Sequence, residues 1–263
     1  MTLPMAKLET RPRKSERQSR ISRALRVSPA LRVNELAALL KVSTETIRRD
    51  LTEMGEAGLL SRTYGGAMRP VAFEPGVIVR EGLMVEERER IAELAVQQVE
   101  ANDILMIGGG ATTLHFARKL AAAVDHLTVI THGLSVAVAL AANSTHRVQI
   151  LPGQYDGREG LICGPDTIEA LSRFRANKVF LGASGLTHEG PNDAGLGPGM
   201  TYGAMMRRSA KSFILADHSK FARPSLTVYG SWSSEVTLIT DNLPTGELMR
   251  AMEKAGSKVL VAG

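Results

Sequence analysis

Between residues 104 and 183 short apolar runs alternate with helix-length stretches. The runs fall at 104–107, 127–131, 148–151 and 179–183, and helical spacing fills 113–122, 134–142 and 166–174 between them. Strands joined by helices are expected to run parallel, because each helical crossover returns the chain to the same end of the sheet. The predicted fold class is therefore α/β, a mainly parallel Rossmann-like sheet with helices on both faces. Further strands are expected at 211–217, 226–229, 236–240 and 258–262, with a helix over 245–255 capped by Gly256. An amphipathic helix over 88–99 opens this part of the chain. Sheets of this kind take ligands at the carboxyl ends of their strands.

The strand ends carry the candidate ligand contacts. After the first comes Gly108-Gly109-Gly110-Ala111-Thr112-Thr113. Three glycines let backbone N–H groups approach an anion, two hydroxyls can donate to it, and the following helix start adds a favourable field. The Gly-Lys-Ser/Thr of a Walker loop is absent, as is a full Gly-x-Gly-x-x-Gly. Other strand ends add His132, then Gly153, Gln154 and Tyr155, then Ser184, Gly185 and Leu186, and Lys220 brings a positive charge to the rim. Asp156, Glu159, Asp193, Asp217 and the histidines are the candidate bases, with His132 and His218 at strand ends. His115, His126 and His146 read as structural. No Cys/His cluster has metal spacing and no Gly-x-Ser-x-Gly elbow occurs, so no metal, cofactor or catalytic residue is assigned.

Upstream, residues 42–69 read as a capped helix followed by a small β-hairpin. Ser43 suits the N-cap. Ile47, Leu51 and Met54 recur at i, i+4 and i+7 as one apolar stripe. Thr44, Thr46, Arg48 and Arg49 fall on the opposite side with Glu45, an arrangement suited to a helix laid end-first into a DNA major groove. Gly58 stops the helix, 59–64 and 67–69 form two strands, and Gly65-Gly66 turns between them. Arg62, Tyr64 and Arg69 then ride on the wing beside the DNA backbone. A short helix over 32–41, tightly joined to the recognition helix, completes helix-turn-helix spacing. A first helix over 17–27 ends at Ser28-Pro29.

Charge follows the same division. Up to Pro70 fourteen Lys and Arg face seven Asp and Glu, whereas the remainder has eighteen against twenty. Only the small N-terminal part matches DNA electrostatically. Residues 1–16 are expected to be a basic flexible arm, 17–70 the DNA-binding domain, 71–85 a linker rich in Pro and Gly, and 86–263 the α/β domain. With no apolar span, no secretory leader and one cysteine, Cys163, the expectation is a cytoplasmic protein without a disulfide. Cys163 reads as a small buried hydrophobe, and Trp232 as packing or a subunit contact.

Through Ile47-Arg48-Arg49-Asp50-Leu51 and Tyr64-Gly65-Gly66-Ala67, residues 17–69 resemble the winged helix-turn-helix of the DeoR family of bacterial transcription regulators. The resemblance implies that Asp50 serves structure, bonding within the motif or orienting Arg48 and Arg49. The loop order of 86–244 resembles that family's sensor domain, which is similar to ribose-5-phosphate isomerase and binds phosphorylated sugars or related metabolites. It departs from the family pattern at Gly108, where an acidic residue is common, at His132, where Asn is common, and at Thr201-Tyr202-Gly203-Ala204, in place of Glu-x-x-Lys. The resemblance implies a non-enzymatic repressor of a carbohydrate operon that binds operator double-stranded DNA as a homodimer or homotetramer. It further implies release by a phosphorylated carbohydrate effector. The alternative is a sugar-phosphate isomerase-like enzyme with an appended helical domain.

Overall fold

Helix α3 (Thr44–Glu56) forms where the apolar stripe demands it: Ile47, Leu51 and Met54 are all buried, and Ser43 Oγ accepts the Thr46 N–H at 3.2 Å as an N-cap. The computed structural model describes residues 14–27, 30–56, 60–63, 66–68 and 76–263, in two units, Met1–Phe73 and Glu74–Gly263. In the first unit, α3 is preceded by α1 (Lys14–Val27), β1 (Ala30–Arg32) and α2 (Val33–Leu40), and followed by β2 (Ser61–Thr63) and β3 (Gly66–Met68). Ile21 and Leu25 of α1 and Leu36 and Leu40 of α2 close over the α3 stripe. Between α2 and α3, Lys41 adopts a left-handed φ of 53°, and its amide and that of Val42 return to Ala38 and Ala37.

Two local features depart from the sequence pattern. Helix α1 begins at Lys14, so its first turn lies in the stretch expected to be a basic arm. The wing has three strands in the order β1-β3-β2, with Arg32 paired to Gly66. At three residues β1 is too short to show alternation, and Gly66 belongs to a strand instead of the turn. Residues 1–13, Ser28-Pro29, Gly58, Leu59, Tyr64, Gly65 and Arg69 lie outside the described residues.

The second unit opens with α4 (Val77–Glu81) and α5 (Val85–Val96), followed by β4 (Ile104–Ile107), α6 (Ala111–Ala123), β5 (Thr128–Thr131), α7 (Leu134–Ala141) and β6 (Arg147–Ile150). A hairpin, β7 (Gln154–Asp156) and β8 (Leu161–Cys163), precedes α8 (Pro165–Leu171), β9 (Ala176–Gly182), β10 (Gly185–Leu186) and β11 (Pro191–Asp193). The chain ends through α9 (Leu196–Arg207), β12 (Ser209–Leu215), β13 (Thr227–Val228), β14 (Val236–Thr240), α10 (Gly246–Ala255) and β15 (Lys258–Val261). Helix α4 thus falls in the stretch that the absence of a helical period marks as linker. Seven strands form one parallel sheet in the order β15-β14-β12-β9-β4-β5-β6.

Side-chain alternation splits the core into two layers. Leu105, Ile107, Phe180, Phe213 and Leu215 face α5, α6 and α7, while Met106, Val179, Leu181 and Ile214 face α8, α9 and α10. Phe180 stacks between Phe116 and Phe213, with ring centroids 4.5 and 4.8 Å away. Trp232 is buried in the second layer and donates Nε1–H to Thr187 O at 2.8 Å, so its role is packing. Strand order reverses between β4 and β9, and Gly108 N donates to Phe180 O at 2.9 Å. The loops leaving these two strands therefore diverge around a crevice, the place where such sheets bind ligands. Among the described residues no helix is long and apolar enough to cross a membrane.

Candidate functional site

The outer surface of α3 presents Arg48 and Arg49 with side chains 61% and 78% exposed. Their links to Glu45, at 4.0 and 3.5 Å, are weak surface pairs readily exchanged for phosphate. Ser43 is exposed, and its Oγ lies 2.8 Å from the Thr46 hydroxyl; Thr44 is half-buried beside them. Asp50 does not orient these arginines. It is buried and grips Arg17 of α1 through two bonds of 2.7 and 3.0 Å, pinning the first helix onto the third. Arg62 lies in β2.

In the second unit a cleft forms over the switch point, lined by Gly109, Gly110, Ala111, Thr112, Ser184 and Lys220, together with Arg80, Arg88, Glu159, Asp193 and Tyr202. Gly110, at φ 117°, turns the chain into α6, whose first N–H groups have no intrahelical carbonyl and give that end partial positive charge. Asp217 Oδ1 accepts Ser219 N–H at 3.0 Å, shaping the 3-10 turn His218–Lys220 that carries Lys220. Arg88 donates to Arg80 O and lies 3.8 Å from Asp217 Oδ2. Arg80 pairs with Glu159 at 2.5 Å. Asp193 accepts from Gly195 N at 2.8 Å and from Ser184 Oγ at 3.4 Å. Three cations and two carboxylates line the cleft at a helix N-terminus, with Asp217 behind Arg88, a setting that favours an anion.

Several sequence candidates stand behind the cleft instead of lining it. His132 is fully buried: Nδ1 donates to Ile162 O at 2.9 Å and Nε2 accepts the Gly109 N–H at 3.4 Å. Burial pulls its pKa to about 4, so it is a neutral prop for the glycine loop. Thr113 is buried, its hydroxyl turned back to Gly110 O at 3.0 Å. Gly108 lies against Tyr202, whose hydroxyl, kept protonated by burial, donates to Gly109 O at 2.7 Å. Gly153 packs on Thr167, Gln154 is exposed in β7, and Gly185 and Leu186 are buried in β10. Tyr155 faces a separate hollow of about 770 Å³ whose lining includes Ile78, Leu134 and Val138. That hollow is larger but mainly apolar, and its charged groups Arg118 and Glu81 pair with each other at 3.6 Å, whereas the smaller cleft gathers the polar and charged groups. His218 is held by Asp241, which raises its pKa, and it is not among the cleft residues. Cys163 is half-buried, its thiol pushed up to about 11 by burial.

Arg80, Arg88 and Tyr202 are among the cleft residues that the strand-end pattern missed. Arg88 left a trace: it shares the buried face of α5 with Ile91, Ala92 and Ala95, an apolar-stripe position where a solvated arginine does not belong. Among the described residues no group of three His, Cys, Asp or Glu is placed to hold a metal ion.

Residues 83–242 match the model of the DeoR C-terminal sensor domain, and residues 17–71 that of the DeoR-like helix-turn-helix domain. The chain belongs to the DeoR family. Its DeoR relatives include the glycerol-3-phosphate regulon repressor of Escherichia coli, 30% identical over 91% of this chain and 96% of that one. It is also similar to the HTH-type transcriptional repressor GlcR of Bacillus subtilis, 29% identical over 86% of this chain and 88% of that one. The lactose phosphotransferase system repressor of Streptococcus mutans is 30% identical over 87% and 92%. Among solved structures, ribose 5-phosphate isomerase A of Neisseria gonorrhoeae aligns over 51% of this DeoR chain and 53% of its own, with 20% identity and a TM-score of 0.39.

Proposed function

We propose that this DeoR-family chain is a transcriptional repressor of carbohydrate catabolism or transport genes, released from its operator by a phosphorylated sugar or a related phosphorylated metabolite. One observation carries the effector reading: Lys220 and Arg88 line the same cleft as the start of α6. A phosphate there meets backbone N–H groups, two cations and the Thr112 hydroxyl. Ser43, Thr44, Thr46, Arg48 and Arg49 of the recognition helix, with Arg62, Tyr64 and Arg69 of the wing, would hold the DNA. The repressor names of its relatives support the same reading.

The cleft binds without turning its ligand over, in this reading. An aldose–ketose isomerase needs a base poised over a carbon-bound proton. Here Glu159 is engaged by Arg80, and Asp193 by Gly195 and Ser184. The protein would act as a homodimer or homotetramer, since symmetric binders match repeated half-sites.

The test is retention of fragments of its own genome at two salt concentrations, with and without a panel of sugar phosphates. Specific retention that falls steeply with salt and is relieved by one phosphorylated compound supports the proposal. Retention of nothing, with turnover of a sugar phosphate, favours the enzyme.

A further inference from the structure

The cleft is narrow, with a free volume of about 40 Å³. A phosphorylated sugar gains room there when part of the lining moves. Most of the lining is set on the parallel sheet or its flanking helices: the loop of Gly109 and Gly110 follows β4, Ser184 follows β9, Lys220 follows β12, and Tyr202 is buried on α9. The remaining wall is of a different kind. It includes Arg80 on α4, Glu159 and Leu161 of the β7–β8 hairpin, and Asp193 of β11.

Helix α4 has only five residues, and Ile78 and Val79 are 80% and 60% exposed. Val77 is its buried side chain. Much of its attachment is polar: the Val77 N–H donates to Arg158 O at 3.2 Å, Arg80 pairs with Glu159 at 2.5 Å, and Arg80 O accepts from Arg88. Segments with few buried apolar contacts open at low free energy. The turn that meets α4 is held from within by Asp156, which accepts from Arg158 N at 2.9 Å and from Gly160 N at 2.8 Å.

We propose that the Arg80–Glu159 pair is a latch opened by the effector. Resting on the reading of the cleft as a sugar-phosphate site, the inference adds Arg80 as a ligand contact and α4 as the element that reports occupancy. An incoming phosphate oxyanion is a bidentate acceptor that takes the Arg80 guanidinium from Glu159, which stays paired with Arg158 at 3.8 Å. With that exchange, α4 loses its side-chain tie to the hairpin turn and keeps the bond from Val77 N–H to Arg158 O. Helix α4 begins at Val77, and the two units divide between Phe73 and Glu74, so α4 is where the sensor unit takes up the chain arriving from the DNA-binding unit. Because binding free energies are linked, an effector that weakens DNA binding through this latch is itself weakened to the same factor by bound DNA.

The test uses the full chain and three probes: inorganic phosphate, glycerol 3-phosphate and glucose 6-phosphate. Calorimetry first identifies which of them binds. At saturation with a bound sugar phosphate, amide exchange at 77–81 is expected to accelerate about tenfold or more, while β4, β9 and the first turn of α6 stay protected. In Glu159→Gln, exchange at 77–81 is raised before any probe is added and probe affinity increases several-fold. Ligand-free Glu159→Gln should then bind the DNA fragment retained by wild type as weakly as ligand-loaded wild type does. Binding of a probe with unchanged or slower exchange at 77–81, or a Glu159→Gln protein whose exchange and DNA affinity equal those of wild type, overturns the latch and leaves the cleft reading standing. Failure of every sugar phosphate to bind wild type removes the cleft reading, and the latch with it.

Discussion

Tyr202 fills the space that a side chain at position 108 would need: a Cβ on Gly108 would lie 2.7 Å from Cε1 of the Tyr202 ring. His132 packs edge-on against the same ring, with centroids 5.4 Å apart. Gly108, His132 and Tyr202 lie within the three departures from the DeoR pattern, and they form one cluster beneath the glycine loop. The three positions therefore meet around one aromatic ring.

Gly108→Ala is therefore expected to destabilise the sensor unit by about 1–3 kcal/mol, the usual cost of overpacking. In a Tyr202→Ala background the same change should cost less, because the ring is gone and only Leu181 Cδ2, 2.9 Å from the new Cβ, remains. Urea unfolding of the four proteins measures the coupling. Equal costs in both backgrounds would show that the clash is absent.

The buried His132 sets an acid limit. Its folded pKa is about 4, below the ordinary histidine value of 6.5, so the unfolded chain binds the extra proton between these values. Stability from keeping His132 neutral is complete above about pH 6.5 and is lost as pH falls towards 4, amounting to about 3 kcal/mol. His218 works with the opposite sign: Asp241 raises its pKa, so its contribution is present at low pH and is lost as pH rises through the raised value. His132→Asn should flatten the pH 4–6.5 limb of the unfolding curve relative to wild type. A limb of unchanged slope would assign the acid sensitivity elsewhere.

Asp50→Ala removes both bonds to Arg17 and should cost about 1–3 kcal/mol in the DNA-binding unit. Thermal unfolding followed by a probe in residues 14–56 is expected to show a lower midpoint, with the sensor transition unmoved. A shift of the sensor transition alone would contradict the assignment.

Arg48→Ala and Arg49→Ala should each weaken DNA binding. For every DNA phosphate that the variant no longer neutralises, the slope of log affinity against log salt should fall by about one. Sugar-phosphate binding measured by calorimetry should be unaltered. DNA affinity and slope equal to those of wild type would exclude this face of α3 as the DNA-binding surface.

The two-unit plan, the parallel sheet and the recognition helix were legible because each rests on a local pattern: continuous apolar runs at 104–107 and 179–183, and the Ile47, Leu51, Met54 stripe. Helix α9 was not, since Gly197, Pro198 and Gly199 at its start give no helical pattern. Proline is harmless in the first helical turn, where its missing N–H would have had no partner, and Gly199 and Gly203 let the helix approach Thr227 and Tyr229 closely. Candidate ligand residues at strand ends were half legible. Position along the strand puts Ser184 and Lys220 in the cleft, but it cannot tell that the Gly109 N–H is spent on His132, or that Tyr155 turns to the apolar hollow. Arg80 was invisible because its stretch shows no period, and its place depends on the β7–β8 turn almost eighty residues away in sequence.

The most direct measurement is titration of the protein–operator complex with the sugar phosphate that binds, comparing wild type with Lys220→Ala by fluorescence anisotropy. Wild type is expected to leave the DNA as the effector is added. Lys220→Ala should hold the operator as tightly but need roughly ten- to a hundredfold more effector for release, since a hydrogen bond to a charged group is worth about 1.5–3 kcal/mol. Release of both proteins at the same effector concentration would place the sensing chemistry outside this cleft.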